Sequence, residues 1–187
     1  SVFAQRLHSL SKEDWKYCLS SLEATRLIVV ERDQGHSAID CHPLVRDSVV
    51  DYLRRNANKG LKKAHGHIFE YLTGKSDEQL NSVSKFEKYF QAVVHGTQAG
   101  FLEEAFDVYF NKIKKGYVML PKGSHYVDQV CLRSFFESPW ERVKEGLPKE
   151  YEFHLKMSAA ANLMSLGEIN EAIPPGYASI NWFVANG

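Results

Sequence analysis

The sequence predicts a mostly α-helical protein in which a helix, a β-hairpin and a second helix precede an array of helical hairpins. Within residues 11–56, the apolar side chains change from helical spacing to a β-branched run and back again. From residue 61 onwards, the strong apolar patterns all have helical spacing. Gly100 and Gly167 each begin a similar segment, and their separation of 67 residues is close to twice the roughly 34-residue period of a common helical-hairpin repeat.

The first helix is predicted over residues 11–24. Ser11 can cap its N-terminus, and Glu13 and Asp14 fall in the first turn, where the helix dipole favours acidic side chains. Apolar residues follow at helical spacing, so the helix has one face that can be buried.

A β-hairpin and a second helix are predicted next. The β-branched run 26–32 and the short segment 37–41 are typical of two strands, and Gly35 between them suits the turn. Pro43 is well suited to the first turn of a helix, and residues 44–55 carry an apolar stripe. This order of helix, hairpin and helix is found in the later part of a winged-helix domain.

The chain is therefore predicted to have two parts, with a boundary at 57–60. Residues 1–57 are expected to form a partial winged helix, and residues 58–187 an α-solenoid of tetratricopeptide-like helical hairpins. The helices of the second part are expected at 61–72, 86–97, 102–113, 127–135 and 155–166. Loops are expected at 75–83, around Pro121 and Gly123, and where Pro139, Gly146 and Pro148 break the chain, whereas the tail 174–187 fits the pattern less well.

Composition and charge narrow the class of protein. The 187 residues include 23 Lys and Arg against 23 Asp and Glu, a balance that argues against a dedicated nucleic-acid or membrane-surface protein. No apolar run is long enough to span a bilayer. The three scattered cysteines predict a reducing, cytoplasmic environment without a disulfide framework. Because the chain begins without Met and ends after a fresh apolar stretch, we expect a piece of a longer protein.

The residues give little sign of catalysis. No phosphate-binding loop, dinucleotide fingerprint, HExxH or GxSxG motif is present. His65 and His67 lie two positions apart on a predicted helix and so point to different faces, which is poor geometry for a metal. His95 is expected to pack beside Gly96, and Cys131 to be a small core residue. We therefore predict neither an enzyme nor a metal site.

A basic stretch leaves nucleic-acid binding open as a lesser alternative. The basic side chains of this stretch could contact phosphates. They are Arg54, Arg55, Lys59, Lys62 and Lys63. The recognition helix of a winged helix normally precedes the hairpin, and here that segment carries the acidic Glu13 and Asp14. A solvated face or an interdomain surface is therefore the favoured interpretation.

The segment 40–47, Asp-Cys-His-Pro-Leu-Val-Arg-Asp, resembles the sensor segment of STAND-class signalling ATPases, the NB-ARC and NACHT proteins. In that family, the motif reads Met-His-Asp and its histidine contacts the β-phosphate of bound ADP. Cys41 stands here for Met and Pro43 for Asp, so only His42 matches the motif. From the residues alone, His42 could equally be the cap of the helix that starts at Pro43.

The resemblance to bacterial STAND proteins extends over residues 11 to about 173. The segments 64–72, 92–105 and 135–140 resemble their linker helix, first helical repeat and next recurring element.

This resemblance implies a non-catalytic regulatory and protein-interaction fragment of a STAND-type ATPase. His42 would sense nucleotide state, and the helical array would sense a ligand or partner. No cofactor is expected in this chain, whereas ATP or ADP is expected in the full-length parent. Its partners would be a protein or the parent's own nucleotide-binding domain, and the parent could oligomerise. The alternatives are a free-standing helical-repeat adaptor and, less favoured, a winged-helix DNA-binding regulator.

Overall fold

The computed structural model describes residues 9–33, 36–74, 82–113 and 124–186. These residues are mostly helical, with two small antiparallel strand pairs, and this confirms the predicted fold class. The chain divides into two compact units, Ser1–Leu61 and Lys62–Gly187, which we call the N-terminal unit and the helical unit. The stacking of the helices as a tetratricopeptide-like solenoid stays a prediction.

The first helix, α1, spans Lys12–Ala24 and begins where its cap residues predict. The Ser11 hydroxyl accepts a hydrogen bond from the Asp14 backbone N–H at 3.1 Å, and the Asp14 carboxylate accepts one from the Ser11 N–H at 3.1 Å. This reciprocal pair is a capping box, which satisfies two backbone donors that the helix itself leaves unpaired.

The predicted hairpin is confirmed. Strand β1, Ile28–Asp33, pairs antiparallel with β2, His36–Cys41, and Val30 lies opposite Ile39. The predicted turn residue Gly35 lies outside the residues that the structure describes.

Two helices follow with a single residue between them. Helix α2 spans Pro43–Asn56, and α3 spans Asn58–Gly74. The Leu61 N–H donates to the Ala57 carbonyl at 3.0 Å, so helical hydrogen bonding resumes at once. The segment 57–60, predicted as a boundary, is therefore helical from Asn58, and the two compact units divide after Leu61.

The helical unit continues with five further helices and one π-helical turn. They are α4 (Ser82–Ala99), α5 (Leu102–Val108), the π-helical turn Tyr109–Ile113, α6 (His125–Arg133), α7 (Lys149–Leu166) and α8 (Ile169–Asn186). Helices occur at all five predicted places, although the third changes to a π-helical turn. The loop predicted at 75–83 ends earlier than expected, because α4 begins at Ser82. Residues 75–81 and the predicted loop around Pro121 and Gly123 lie outside the described residues.

Two elements of this unit differ from the expectation. A short antiparallel pair, β3 (Phe136–Ser138) and β4 (Arg142–Val143), forms where the sequence predicted only a break. The strands are too short for a period-two pattern to stand out. The tail 174–187 is helical up to Asn186, although Pro174 and Pro175 each remove a backbone donor. Packing against α7 overrides this cost, since Pro175 is almost fully buried.

The core of the helical unit is made by side chains from α4 through α8. Its fully buried large members are Val93, Tyr109, Ile113, Leu132, Phe135, Leu155 and Leu163. Cys131 is buried in the same cluster, as predicted. Phe106 stacks on Tyr151, with ring centroids 4.0 Å apart, so α5 and α7 meet through their aromatic rings.

The two glycines of the weak sequence repeat have the same backbone conformation. Gly100 and Gly167 have φ values of 93° and 80°, a left-handed conformation that favours glycine. Each glycine follows one helix and precedes another, so both act as tight helix–helix turns.

Candidate functional site

His42, the predicted sensor residue, is the N-cap of α2. Its ring Nδ1 accepts a hydrogen bond from the Leu44 N–H at 3.3 Å, and its side chain is exposed. The structure thus bears out the capping role that the residues alone left open. Because Nδ1 accepts, the ring proton in this arrangement is on Nε2.

The backbone donors at the start of α2 are already committed. Pro43 has no N–H, and the Leu44 N–H bonds to the His42 ring. The N–H groups of Val45 and Arg46 donate to the His42 carbonyl at 2.9 and 3.1 Å. The donor that this helix end can offer to an external anion is therefore the imidazole Nε2–H.

A charge pair lies beside this histidine. Arg46 forms an ion pair with the Asp40 carboxylate, and the same carboxylate oxygen accepts the Cys41 N–H at 2.8 Å. Asp40 lies near the end of the strand before His42, so its charge would repel a phosphate there. The guanidinium of Arg46 offsets that charge.

The N-terminal unit keeps its apolar side chains in contact with water. None of its described side chains is buried, and several large ones, Tyr17, Val29, Leu44 and Tyr52, are more than half exposed. The predicted basic residues of this unit, Arg54, Arg55 and Lys59, are also exposed, and Arg54 donates a hydrogen bond to Asp51 at 3.3 Å. Lys62 and Lys63, which belong to the helical unit, are exposed as well.

The helical unit brings together two histidines that the sequence did not connect. The Nδ1 atoms of His65 on α3 and His95 on α4 lie 2.8 Å apart, and both side chains are half-buried. Burial lowers the pKa of His95, and the neighbouring His65 lowers it further. His67 lies instead beside Glu70, at 3.5 Å. The sequence predicted only that His95 packs beside Gly96. It did not indicate the contact with His65, because thirty residues separate the two histidines.

A buried carboxylate ties the π-helical turn to α6 and α7. Asp128 is fully buried, accepts the Tyr109 hydroxyl at 3.0 Å and accepts the Asn162 amide at 2.9 Å. The same amide donates to the His125 carbonyl at 3.1 Å. The cluster lies inside the core, where these hydrogen bonds hold three elements together, and the Asn162 Oδ1 atom is buried without a hydrogen-bond partner among the described residues.

An apolar groove lies between α7 and α8 in the helical unit. Its volume is about 300 Å³. Small residues, Ala160, Ala172 and Gly176, and large ones, Met164, Ile169, Ile173, Tyr177 and Ile180, line it. None of these described lining residues carries a charge. We call it the α7–α8 groove.

Sequence reasoning missed the groove because it assigned no element to the tail. Ile169, Ile173, Ile180 and Val184 have helical spacing, and this signal could have identified α8. The proline pair Pro174-Pro175 obscured it, since proline normally interrupts a helix.

Across the described ranges, no helix is both long and apolar enough to cross a membrane. The same residues contain no group of three or more His, Cys, Asp and Glu side chains that could hold a metal ion. No family model, curated protein or solved structure matches the chain.

Proposed function

We propose that the chain is a non-catalytic regulatory and protein-interaction part of a STAND-type signalling ATPase in the cytoplasm. The observation that carries the proposal is the open, uncharged α7–α8 groove, which offers a binding surface to a ligand or partner. The resemblance of segment 40–47 supports the assignment to a signalling ATPase. In this proposal, the N-terminal unit belongs to a winged helix and the helical unit to a tetratricopeptide-like array.

Apolar exposure supports the interaction role. Exposed apolar patches of several hundred Å² are uncommon on monomeric proteins and often mark sites of interaction. The groove has a floor of small residues and walls of Met, Ile and Tyr side chains, so it can accept the apolar face of a helix. Met164, with its flexible side chain, adapts to different partners.

The chemistry of His42 fits the proposed nucleotide contact. Its capped ring has the proton on Nε2, and an imidazole N–H can donate to a phosphate oxygen. The positive end of the α2 dipole favours an anion at the same place. The chain lacks a phosphate-binding loop, so a neighbouring domain of the parent would hold the rest of the nucleotide.

The sensor role is tested by nucleotide retention in a protein that joins this chain to its nucleotide-binding domain. His42→Ala should lower the fraction of protein that retains ADP through gel filtration. His67→Ala is the matched control, because His67 is also an exposed histidine. Equal ADP retention in wild type and His42→Ala would reject the sensor role.

A second candidate is a free-standing helical-repeat adaptor that only binds proteins. The same groove favours it, since an apolar groove works as a docking site without any nucleotide. The two candidates differ in one observation: the signalling ATPase co-purifies with ADP, whereas an adaptor does not.

A further inference from the structure

Helix α8 exposes an apolar stripe and carries almost no charge. Glu171 is its single charged residue among eighteen, and its carboxylate accepts the Trp140 indole N–H at 3.2 Å. The exposed apolar side chains of α8 are Ile169, Ile173, Tyr177, Ile180, Phe183 and Val184. A helix in a globular protein normally buries its apolar stripe and leaves its polar face to water. We therefore expect another protein surface to bury this stripe.

The spacing of the stripe is the same when it is read in either direction. Ile169 and Ile173 are four residues apart, and so are Ile180 and Val184. The midpoint between Ile169 and Val184 and the midpoint between Ile173 and Ile180 both fall between Gly176 and Tyr177. In an antiparallel pair of α8 helices, Ile169 would therefore face Val184 of the other copy. Ile173 would face Ile180 in the same way.

We propose that α8 is a self-association site, at which two copies of the chain pair antiparallel about a two-fold axis near Gly176. A two-fold interface requires each patch to complement itself, so that residue i meets residue j and j meets i. The symmetric stripe satisfies this requirement. The proposal deepens the proposed function, because it rests on the α7–α8 groove as an interaction surface and names its occupant.

The groove supplies the space at the centre of such a pair. Gly176 lies over α7, where a Cβ atom would be 3.7 Å from the Ala160 Cβ. With Ala172, these small residues leave an open floor of the groove. Tyr177, which is 66% exposed, is at the axis and would fill the groove of the other copy.

The exposed apolar area is of the order that a stable pair buries. On α7 and α8, eight large apolar side chains are about half exposed or more, the two on α7 being Met157 and Met164. At roughly 200 Å² for a fully exposed aromatic side chain and roughly 100 Å² for an aliphatic one, these eight expose on the order of 600 Å². A typical stable interface buries about 800 Å² on each partner.

Charge also favours a second copy. When a patch meets itself, a charge on the two-fold axis meets its own copy, and like charges placed opposite each other are unfavourable. The stripe of α8 contains no charged residue, so two copies can approach without this repulsion.

The experiment measures the mass of the 187-residue chain by sedimentation equilibrium over a range of concentrations. The wild type should be in reversible equilibrium between monomer and dimer. Ile173→Lys alone and Ile180→Glu alone should each raise the dimer dissociation constant about a hundredfold or more, because each would bury an unpaired charge. An equimolar mixture of the two variants should dimerise again, because the ammonium introduced in one copy would then face the carboxylate introduced in the other.

The control is Val130→Glu on α6, an exposed apolar position of the same unit that lies outside the stripe. It should leave dimerisation unchanged, and circular dichroism should show that all variants keep their helix content. A wild type that stays monomeric at every concentration overturns the proposal. Dimers that persist in both single variants, or that the mixture does not restore, overturn it as well. ADP retention tests the parent function separately, so a failure of either proposal can be told from a failure of the other.

Discussion

The N-terminal unit and the helical unit differ in how far their apolar side chains are removed from water. The helical unit has a continuous core, in which Leu155 and Leu163 are fully buried. None of the described side chains in the N-terminal unit is buried, and Leu44 remains 70% exposed. Caps and turns therefore define the N-terminal elements, whereas packing stabilises the helical unit.

The largest expected contrast comes from one substitution made in each unit. Leu163→Ala should lower the free energy of unfolding by about 2–5 kcal/mol, because it leaves a cavity in the core. Leu44→Ala should change it by less than about 0.5 kcal/mol, since that side chain is already exposed. Urea denaturation followed by circular dichroism measures both. A comparable loss in the two variants would show that Leu44 is buried in solution.

A second contrast uses two glycines inside helices. A Cβ atom at Gly96 would lie 2.9 Å from both the Ala105 Cβ and the Phe69 ring, so Gly96→Ala should destabilise by about 1–3 kcal/mol. Gly60 has no such neighbour among the described residues, so Gly60→Ala should stabilise α3 by up to about 1 kcal/mol. Opposite shifts of the melting temperature are expected, and a shift of the same sign in both would contradict the packing at Gly96.

The smallest expected effect is a dependence of stability on pH in the helical unit. The pKa of His95 is lower in the folded chain than in the unfolded one, so the unfolded chain binds the proton first as pH falls. The stabilisation by neutral His95 is thus complete above about pH 6.5 and is lost as pH falls through the lower folded-state pKa.

His95→Gln should therefore reduce the loss of melting temperature between about pH 7.5 and pH 5. His67→Gln is the control, because His67 is exposed and outside the His65–His95 contact. If both variants lose stability on acidification as steeply as the wild type, the contact does not contribute to the pH dependence.

The sequence predicted the N-terminal elements well because their signals are local. The capping box of Ser11 and Asp14 lies within four residues, and Pro43 directly marks the start of α2. These signals need no knowledge of the rest of the fold.

Features that depend on packing could not be predicted in this way. The His65–His95 contact requires the mutual orientation of α3 and α4, and the Asp128 cluster joins residues far apart in the chain. Helix α8 persists through Pro174 and Pro175 because Pro175 is buried and Gly176 lies beside Ala160 of α7. Local propensity opposes that helix, and tertiary contacts override the propensity.

Hydrogen exchange of the backbone amides tests the contrast between the two units most directly. Amides exchange slowly where opening a helix requires breaking a packed core, and quickly where helices are exposed. We expect strong protection in α4 and α7 and weak protection in α1 and α2, measured in the same sample of the chain. Equal protection in α1, α2 and α7 would contradict it, because the N-terminal helices would then be as firmly packed as the core.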